Sequence, residues 1–150
     1  MSGDFSGWLP PNSVNKTRIV IPAEFKKKFD ESANRMVVVT LGPEGTVAVF
    51  PKDTWLLQKE SLQAQATPEA GDILATLEHF AMTEQELEGP GRIRVREDLL
   101  KIAGITDKVI VQGAGHFIIL WSPERHQEVS DQLLQPALKL KSTAFQIKNV

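Results

Sequence analysis

One short pattern occurs twice in the chain, and that repetition limits the possible folds more than any other feature. Lys16-Thr17-Arg18-Ile19-Val20-Ile21-Pro22-Ala23-Glu24-Phe25-Lys26 lies without a gap over Pro90-Gly91-Arg92-Ile93-Arg94-Val95-Arg96-Glu97-Asp98-Leu99-Leu100. Each copy reads as a turn, an arginine, an alternating strand and a short helix. A β-rich run follows each, Met36 to Phe50 and Val109 to Trp121, with a tight turn at Gly42-Pro43-Glu44-Gly45 in one and Gly113-Ala114-Gly115 in the other. Both runs end on a bulky apolar residue before a Pro-bearing helix start, Phe50-Pro51-Lys52-Asp53 and Trp121-Ser122-Pro123-Glu124. Units this small cannot bury their own apolar faces, so two must pair. The expected product is one α+β domain with pseudo-twofold symmetry, neither half of which is stable alone.

Local signals agree within each unit. Alternation places Ile19, Ile21, Ile93 and Val95 on buried faces and turns Val20 and Arg94 outward. Pro22 suits a first helical position, after which Phe25 and Phe29 stack at i, i+4 on the inner face. In the second copy Glu97 and Asp98 complement the helix N-terminus, Leu99, Leu100 and Ile102 form its apolar face, and Gly104 ends it. Between the units a helical pair is expected. Asp53 to about Gln65 brings Trp55, Leu56, Leu62 and Ala66 near one stripe, and Thr67-Pro68-Glu69 opens a second helix through about Phe80, with Ile73, Leu74, Leu77 and Phe80 apolar. Ala81 to Val95 then reads as a hairpin about Glu88-Gly89-Pro90-Gly91, its tip presenting Arg92. A polar helix follows Pro123 through about Leu134. The tail from Pro136, with Lys139, Lys141 and Lys148, has no clear period and is expected to order only against a partner. The organisation is thus a single domain over 1–134, with units at about 5–55 and 80–130, the helical pair at 53–80, and a tail at 135–150.

Composition excludes several chemistries. Without cysteine there is no disulfide framework, Cys-ligated metal or thiol nucleophile. The apolar runs Met36 to Val39 and Phe117 to Trp121 fall far short of the roughly 20 residues that cross a bilayer, and Met1 to Pro11 does not read as a secretory signal, so a cytoplasmic protein is expected. His79 and His116 read as structural or turn residues and His126 as part of a polar helix, with no i, i+4 ligand pair. No Gly-x-Ser-x-Gly elbow or dinucleotide loop is present, so neither an active site nor a cofactor or metal is expected.

Charge is segregated. The net charge is only −2, from seventeen Lys plus Arg against nineteen Asp plus Glu. Yet Glu60 to Glu88 contains no Lys or Arg, whereas Lys16, Arg18, Lys26, Lys27 and Lys28 face Glu24 alone between Lys16 and Lys28. Glu88-Gly89-Pro90-Gly91-Arg92 combines an acid, glycines able to turn left-handed and an arginine, which would hold a guanidinium fork at a hairpin tip. Such a fork suits phosphate or the O6/N7 edge of guanine, and a β-ribbon can carry it into a major groove. Arg94 and Arg96 extend the basic strip, and Lys16 and Lys26 stand beside Arg18 where backbone phosphate would lie. The alternative is an internal Arg92–Glu88 ion pair among arginines that merely keep the strand soluble; recurrence of the element at Arg18 weighs against it.

With these motifs the chain resembles the MraZ family, bacterial regulators built of two AbrB-like halves sharing an Asp-x-x-Gly-Arg type element. The resemblance runs from Phe5 to about Leu134. It rests on Arg18-Ile19-Val20-Ile21-Pro22, the Glu88 to Arg92 turn, Phe50-Pro51 to Trp55 and the Phe117 to Trp121 strand. It implies a swapped-hairpin, β-barrel-like core with short flanking helices, assembled into ring-like homo-oligomers. It also implies a nucleoid-associated activity: sequence-specific binding of double-stranded DNA at short direct repeats, repressing the cell-division and cell-wall gene cluster. By position Arg18 and Arg92 inherit the motif arginines, Gly91 the glycine and Glu88 the acid. In the first copy Val14 stands where the family has Asp and Thr17 where it has Gly, so the buttress falls to Asn12 or Asn15, of which Asn15, which tolerates left-handed geometry, is the preferred stand-in. Pro10-Pro11 interrupts the first strand. The rival reading is an assembly protein that kept the ring-forming scaffold and lost DNA recognition as its first motif decayed.

Overall fold

The alternating residues of the two repeats meet at the centre of the molecule in the computed structural model, which describes residues 1–82 and 84–147. The first unit supplies β1 (Asn12–Ser13), β2 (Arg18–Val20), α1 (Ala23–Lys26), β3 (Met36–Leu41), β4 (Val47–Pro51) and α2 (Lys52–Gln65), and α3 (Pro68–Phe80) follows. The second supplies β5 (Gln85–Glu86), β6 (Arg92–Arg94), α4 (Glu97–Ala103), β7 (Lys108–Gly113), β8 (Ile118–Trp121) and α5 (Pro123–Leu138).

A six-stranded antiparallel sheet runs β1-β7-β8-β4-β3-β5, and β2 pairs antiparallel with β6. Exchanging each strand for its counterpart returns the same order read backwards, so the twofold relation implied by the repeat extends through the sheet. The strand that opens each unit pairs with the hairpin of the other, β1 with β7 and β5 with β3. This antiparallel half-barrel with short flanking helices is the α+β arrangement implied by the resemblance. Ile19, Ile21, Ile93 and Val95 are buried in the main core with Phe5, Leu99 and the inward valines of β3 and β4. Each such aliphatic side chain contributes about 1.5–3 kcal/mol by leaving water.

The amino-terminal segment closes one side. Phe5 and Trp8 bridge to Gly115 and Gln112, and the pairing resumes at β1 only after Pro10-Pro11, which lack amide donors. A Cβ on Gly113 would lie 2.2 Å from the Ser6 amide nitrogen, so the crossing requires a residue without a side chain.

Several sequence expectations are corrected. Pro22 caps α1 rather than opening it, and α1 ends at Lys26, leaving Phe29 outside the helix. Phe25 and Phe29 do not stack as a helical pair; each meets Phe5 edge-on, at 6.1 and 5.7 Å. In α2 the buried residues are Thr54, Trp55 and Leu62, whereas Leu56 is exposed and Ala66 is a left-handed cap. Thr67 caps α3 as its motif requires, accepting from the Ala70 amide, but Ile73 remains 44% exposed because the sheet covers only part of that face. The expected Ala81–Val95 hairpin is reduced to one bridge, Glu88 to Arg92, since β5 is drawn away to pair with β3. α5 continues to Leu138 through Pro136, whose missing donor falls in the last turn, and a 3-10 turn follows at Ser142–Phe145. The tail residue Lys148 lies outside the described residues. His126 is buried, edge-on to Trp8 at 4.5 Å and Trp121 at 5.9 Å, instead of lying on a polar surface.

Candidate nucleic-acid interface

Strand pairing brings the arginines of both repeats together. In the β2–β6 ribbon Arg18 lies opposite Arg94, Ile19 opposite Ile93 and Val20 opposite Arg92. Because side chains alternate, the central isoleucines enter the core and Arg18, Val20, Arg92 and Arg94 share the outward face. All three arginines are exposed. Arg18 and Arg94 are like charges directly opposite one another, an arrangement that destabilises an isolated ribbon. Two further backbone bonds of matching geometry extend the ribbon, Ile21 N to Gly91 O at 2.9 Å and Val95 N to Thr17 O at 2.8 Å.

The ribbon has no third strand, and side-chain amides serve instead. Gln85 donates to the Arg94 carbonyl and accepts from its amide, both at 2.8 Å, while the Asn12 amide donates to the Val20 carbonyl at 3.4 Å. These are counterpart positions, Val20 and Arg94. From the sequence Asn12 is offered only as a stand-in buttress for Arg18 and Gln85 is not singled out, because nothing in their local pattern announces a partner in another strand.

The second turn is heavily braced. Gly89 and Gly91 adopt φ of 50° and 114°, and the Glu88 carbonyl accepts from the amides of Gly91 and Arg92. Lys26 Nζ donates to the Pro90 carbonyl at 2.7 Å, and its aliphatic stem passes so close to Gly91 that an added Cβ would meet Cδ at 2.9 Å. Arg35 reaches the same turn, donating to the carbonyls of Leu87 at 3.1 Å and Gly89 at 3.4 Å. Lys26 is therefore a strap across the turn as well as a cation beside it. Arg35 was not singled out from sequence; its isolated position before a β-run carries no signal.

Glu88 does not buttress Arg92. Its carboxylate faces Arg94 at 3.6 Å, and the Arg92 guanidinium lies over Gly89. Among the described residues no carboxylate stands within ion-pair distance of Arg18 or Arg92. Arg96, expected to extend the strip, turns inward: it donates to the Phe80 carbonyl at 2.7 Å and to Asp98 at 3.1 Å. Desolvation would raise the Asp98 carboxyl, but the Arg96 hydrogen bond and the Leu99 amide outweigh it and hold the group below its ordinary range.

The first turn is closed by the same kind of backbone pair that Glu88 and Arg92 exchange, but without side-chain straps among the described residues. Asn15 and Arg18 exchange backbone hydrogen bonds, both 3.0 Å, and the residue with positive φ is Lys16, at 61°, not Asn15. No side-chain hydrogen bond of Asn15 to Arg18 is present among the described residues; the contact between them is backbone alone. Asn15, Lys16, Thr17, Arg18 and Arg94 line a recess of about 260 Å³ at this end of the ribbon. Elsewhere in the basic cluster Lys28 donates to the Asp4 carbonyl at 2.8 Å, and Lys27 is exposed.

No protein-family model matches the chain. Curated relatives do align with it over most of its length. The transcriptional regulator MraZ of a Nocardioides species is 33% identical over 132 residues, which cover 85% of this chain and 86% of that one. The protein of the same name from Corynebacterium kroppenstedtii is 29% identical over 122 residues, 80% of this chain and 82% of its own. That from Thioalkalivibrio sulfidiphilus is 25% identical across 94% of this chain and 99% of its own.

Proposed function

The chain belongs to the MraZ family of transcriptional regulators, and from that premise we propose that it is a DNA-binding regulator whose β2–β6 ribbon reads the major groove. The observation that carries this reading is the outward ribbon face, where Arg18 and Arg92 stand without an acidic partner among the described residues. A two-stranded ribbon fits the roughly 12 Å wide major groove, and an arginine fork matches O6 and N7 of guanine. Arg92 and Arg18 take the base-reading role, Arg94 shares its charge between Glu88 and DNA, and Lys16 and Lys26 face backbone phosphate. Arg96 acts indirectly, by fixing the exit of β6 against α4.

The operator in this reading is a set of short direct repeats at the promoter of the cell-division and cell-wall cluster, with repression as the outcome. The protein acts in the cytoplasm at the nucleoid, without catalysis. A chain of net charge −2 gains affinity when several copies engage repeated sites at once, which supports a ring-like homo-oligomer.

The test is a gel shift against the protein's own upstream DNA and a scrambled control. Arg92→Ala weakens specific binding by about 1–3 kcal/mol, roughly 5- to 150-fold, with oligomer mass in light scattering unchanged. Affinity falls with log salt at about 0.9 per phosphate contact. An Arg92→Ala affinity equal to the parent overturns the site; a ring that shifts no DNA favours an assembly protein, the reading to which the plain first turn lends weight.

A further inference from the structure

An apolar groove opens on the side of the first unit, a cavity of about 720 Å³ between α3, the β3–β4 turn and the sheet. Phe50, Ile73, Leu77 and Phe117 line its floor and wall, and its charged lining residues are Glu69 and Asp72, with no lysine or arginine among the described residues. Ile73 is an aliphatic side chain held 44% in water on an otherwise ordered helix. Such a surface calls for a covering group that is apolar and positively charged.

The carboxyl-terminal segment has that chemistry. Leu138, Leu140, Phe145 and Ile147 are 60–95% exposed, and the charges among them, Lys139 and Lys141, are both positive. None of these residues lines the groove of its own chain. The segment leaves α5, which packs on β7, whereas the groove is walled by α3 and the β3–β4 turn with Phe117 at its edge.

We infer that the segment 138–147 of one copy seats in the α3 groove of another, its apolar side chains on Phe50 and Ile73 and its lysines toward Glu69 and Asp72. Groove and segment are different surfaces, so the contact is heterologous and propagates from copy to copy, giving a ring when the rotation between copies closes. This deepens the homo-oligomer part of the proposed function by naming the joining surfaces, and it is independent of the arginine ribbon.

The chain contains no cysteine, which permits a clean test. Ile73→Cys and Phe145→Cys variants, each full length, are mixed in equal amounts and mildly oxidised. The mixed disulfide forms at least about tenfold faster than either self-disulfide, because docking raises the local thiol concentration. Glu69→Lys with Asp72→Lys in the groove-bearing chain removes that preference, and Lys139→Glu with Lys141→Glu in the other restores it. Absence of a preferred mixed disulfide in variants that keep the parent circular dichroism overturns the proposal. So does an intrachain disulfide in the Ile73→Cys/Phe145→Cys double variant, which would place the tail on its own groove. Because the readout contains no DNA, its failure leaves the Arg92 result standing. Oligomers seen by light scattering without the disulfide overturn these surfaces but not assembly.

Discussion

The two arginine turns occupy equivalent places in one repeat and are held by different means. Around Arg92, glycine backbone geometry, the Lys26 strap and the Arg35 fork fix nearly every turn carbonyl. A backbone pair closes both turns, Glu88–Arg92 and Asn15–Arg18, but around Arg18 no side-chain strap is present among the described residues, and Lys16 takes a left-handed conformation disfavoured for a side-chain-bearing residue. The position equivalent to Lys26 is Leu100, which is buried and cannot strap anything. One repeated pattern gives a strapped turn and a plain one. A pre-organised backbone loses less freedom on binding, so in the proposed interface Arg92 is expected to contribute more than Arg18.

The largest expected effect compares the two arginines directly. Arg92→Ala lowers specific DNA affinity by about 30-fold, within the range for one base contact, and Arg18→Ala by about 3-fold, below that range. Parallel titrations of both variants check this, and equal losses would remove the distinction between the turns. Next comes the backbone beneath Arg92. Gly91→Ala forces a side chain into φ 114° and against Lys26 and the Ile21 carbonyl, and reduces stability by about 1–3 kcal/mol in denaturant unfolding. Thr17→Ala at the equivalent first-turn position changes stability by less than about 0.5 kcal/mol, as at an ordinary surface site.

Lys26→Leu makes the second turn resemble the first. It removes the bond to the Pro90 carbonyl, costs about 1 kcal/mol or less, and narrows the affinity gap between the Arg92→Ala and Arg18→Ala variants. A gap that persists in the Lys26→Leu background would assign the rigidity to Arg35 and the glycine geometry.

The smallest effect concerns another pair of equivalent positions, Trp55 after Phe50 and His126 after Trp121. Burial against Trp8 and Trp121 pushes the His126 imidazole below its ordinary value of 6.5. Unfolded chains therefore take up this proton first as pH falls. The stability that goes with a neutral His126 is complete above 6.5 and is lost as pH drops through the lower folded value. Thermal midpoints fall from pH 7.5 toward 5.5 in the parent and less in His126→Phe. Identical slopes would mean the ring is not protected from protons in the folded state.

Much of this was legible from the sequence because the signals are local. The alternation of Ile19, Ile21, Ile93 and Val95 sets which faces are buried, and Thr67-Pro68-Glu69 starts α3 where capping chemistry requires. The Gly89 and Gly91 turn and the resemblance carried by it were likewise readable. Local pattern misplaced Leu56, Ile73 and His126, since periodicity finds an apolar or polar face without saying what will stand against it. It could not find Gln85 or Arg35, nor the partner of Asn12, because these bonds go to main-chain groups distant along the chain or in another strand.

The sequence by itself determined that two copies of a turn, strand and helix must share one core, because neither copy has enough apolar surface to close alone. Tertiary structure decided how they share it. Antiparallel pairing at Ile19 and Ile93 put Arg18, Arg92 and Arg94 on one face, and the exchange of β1 and β5 between units pulled the expected second hairpin apart. Strand register, hydrogen bonds to distant carbonyls and the choice of Arg94 over Arg92 as the partner of Glu88 are relations between segments. They arise only when those segments compete for the same core and the same donors, which no single stretch of residues encodes.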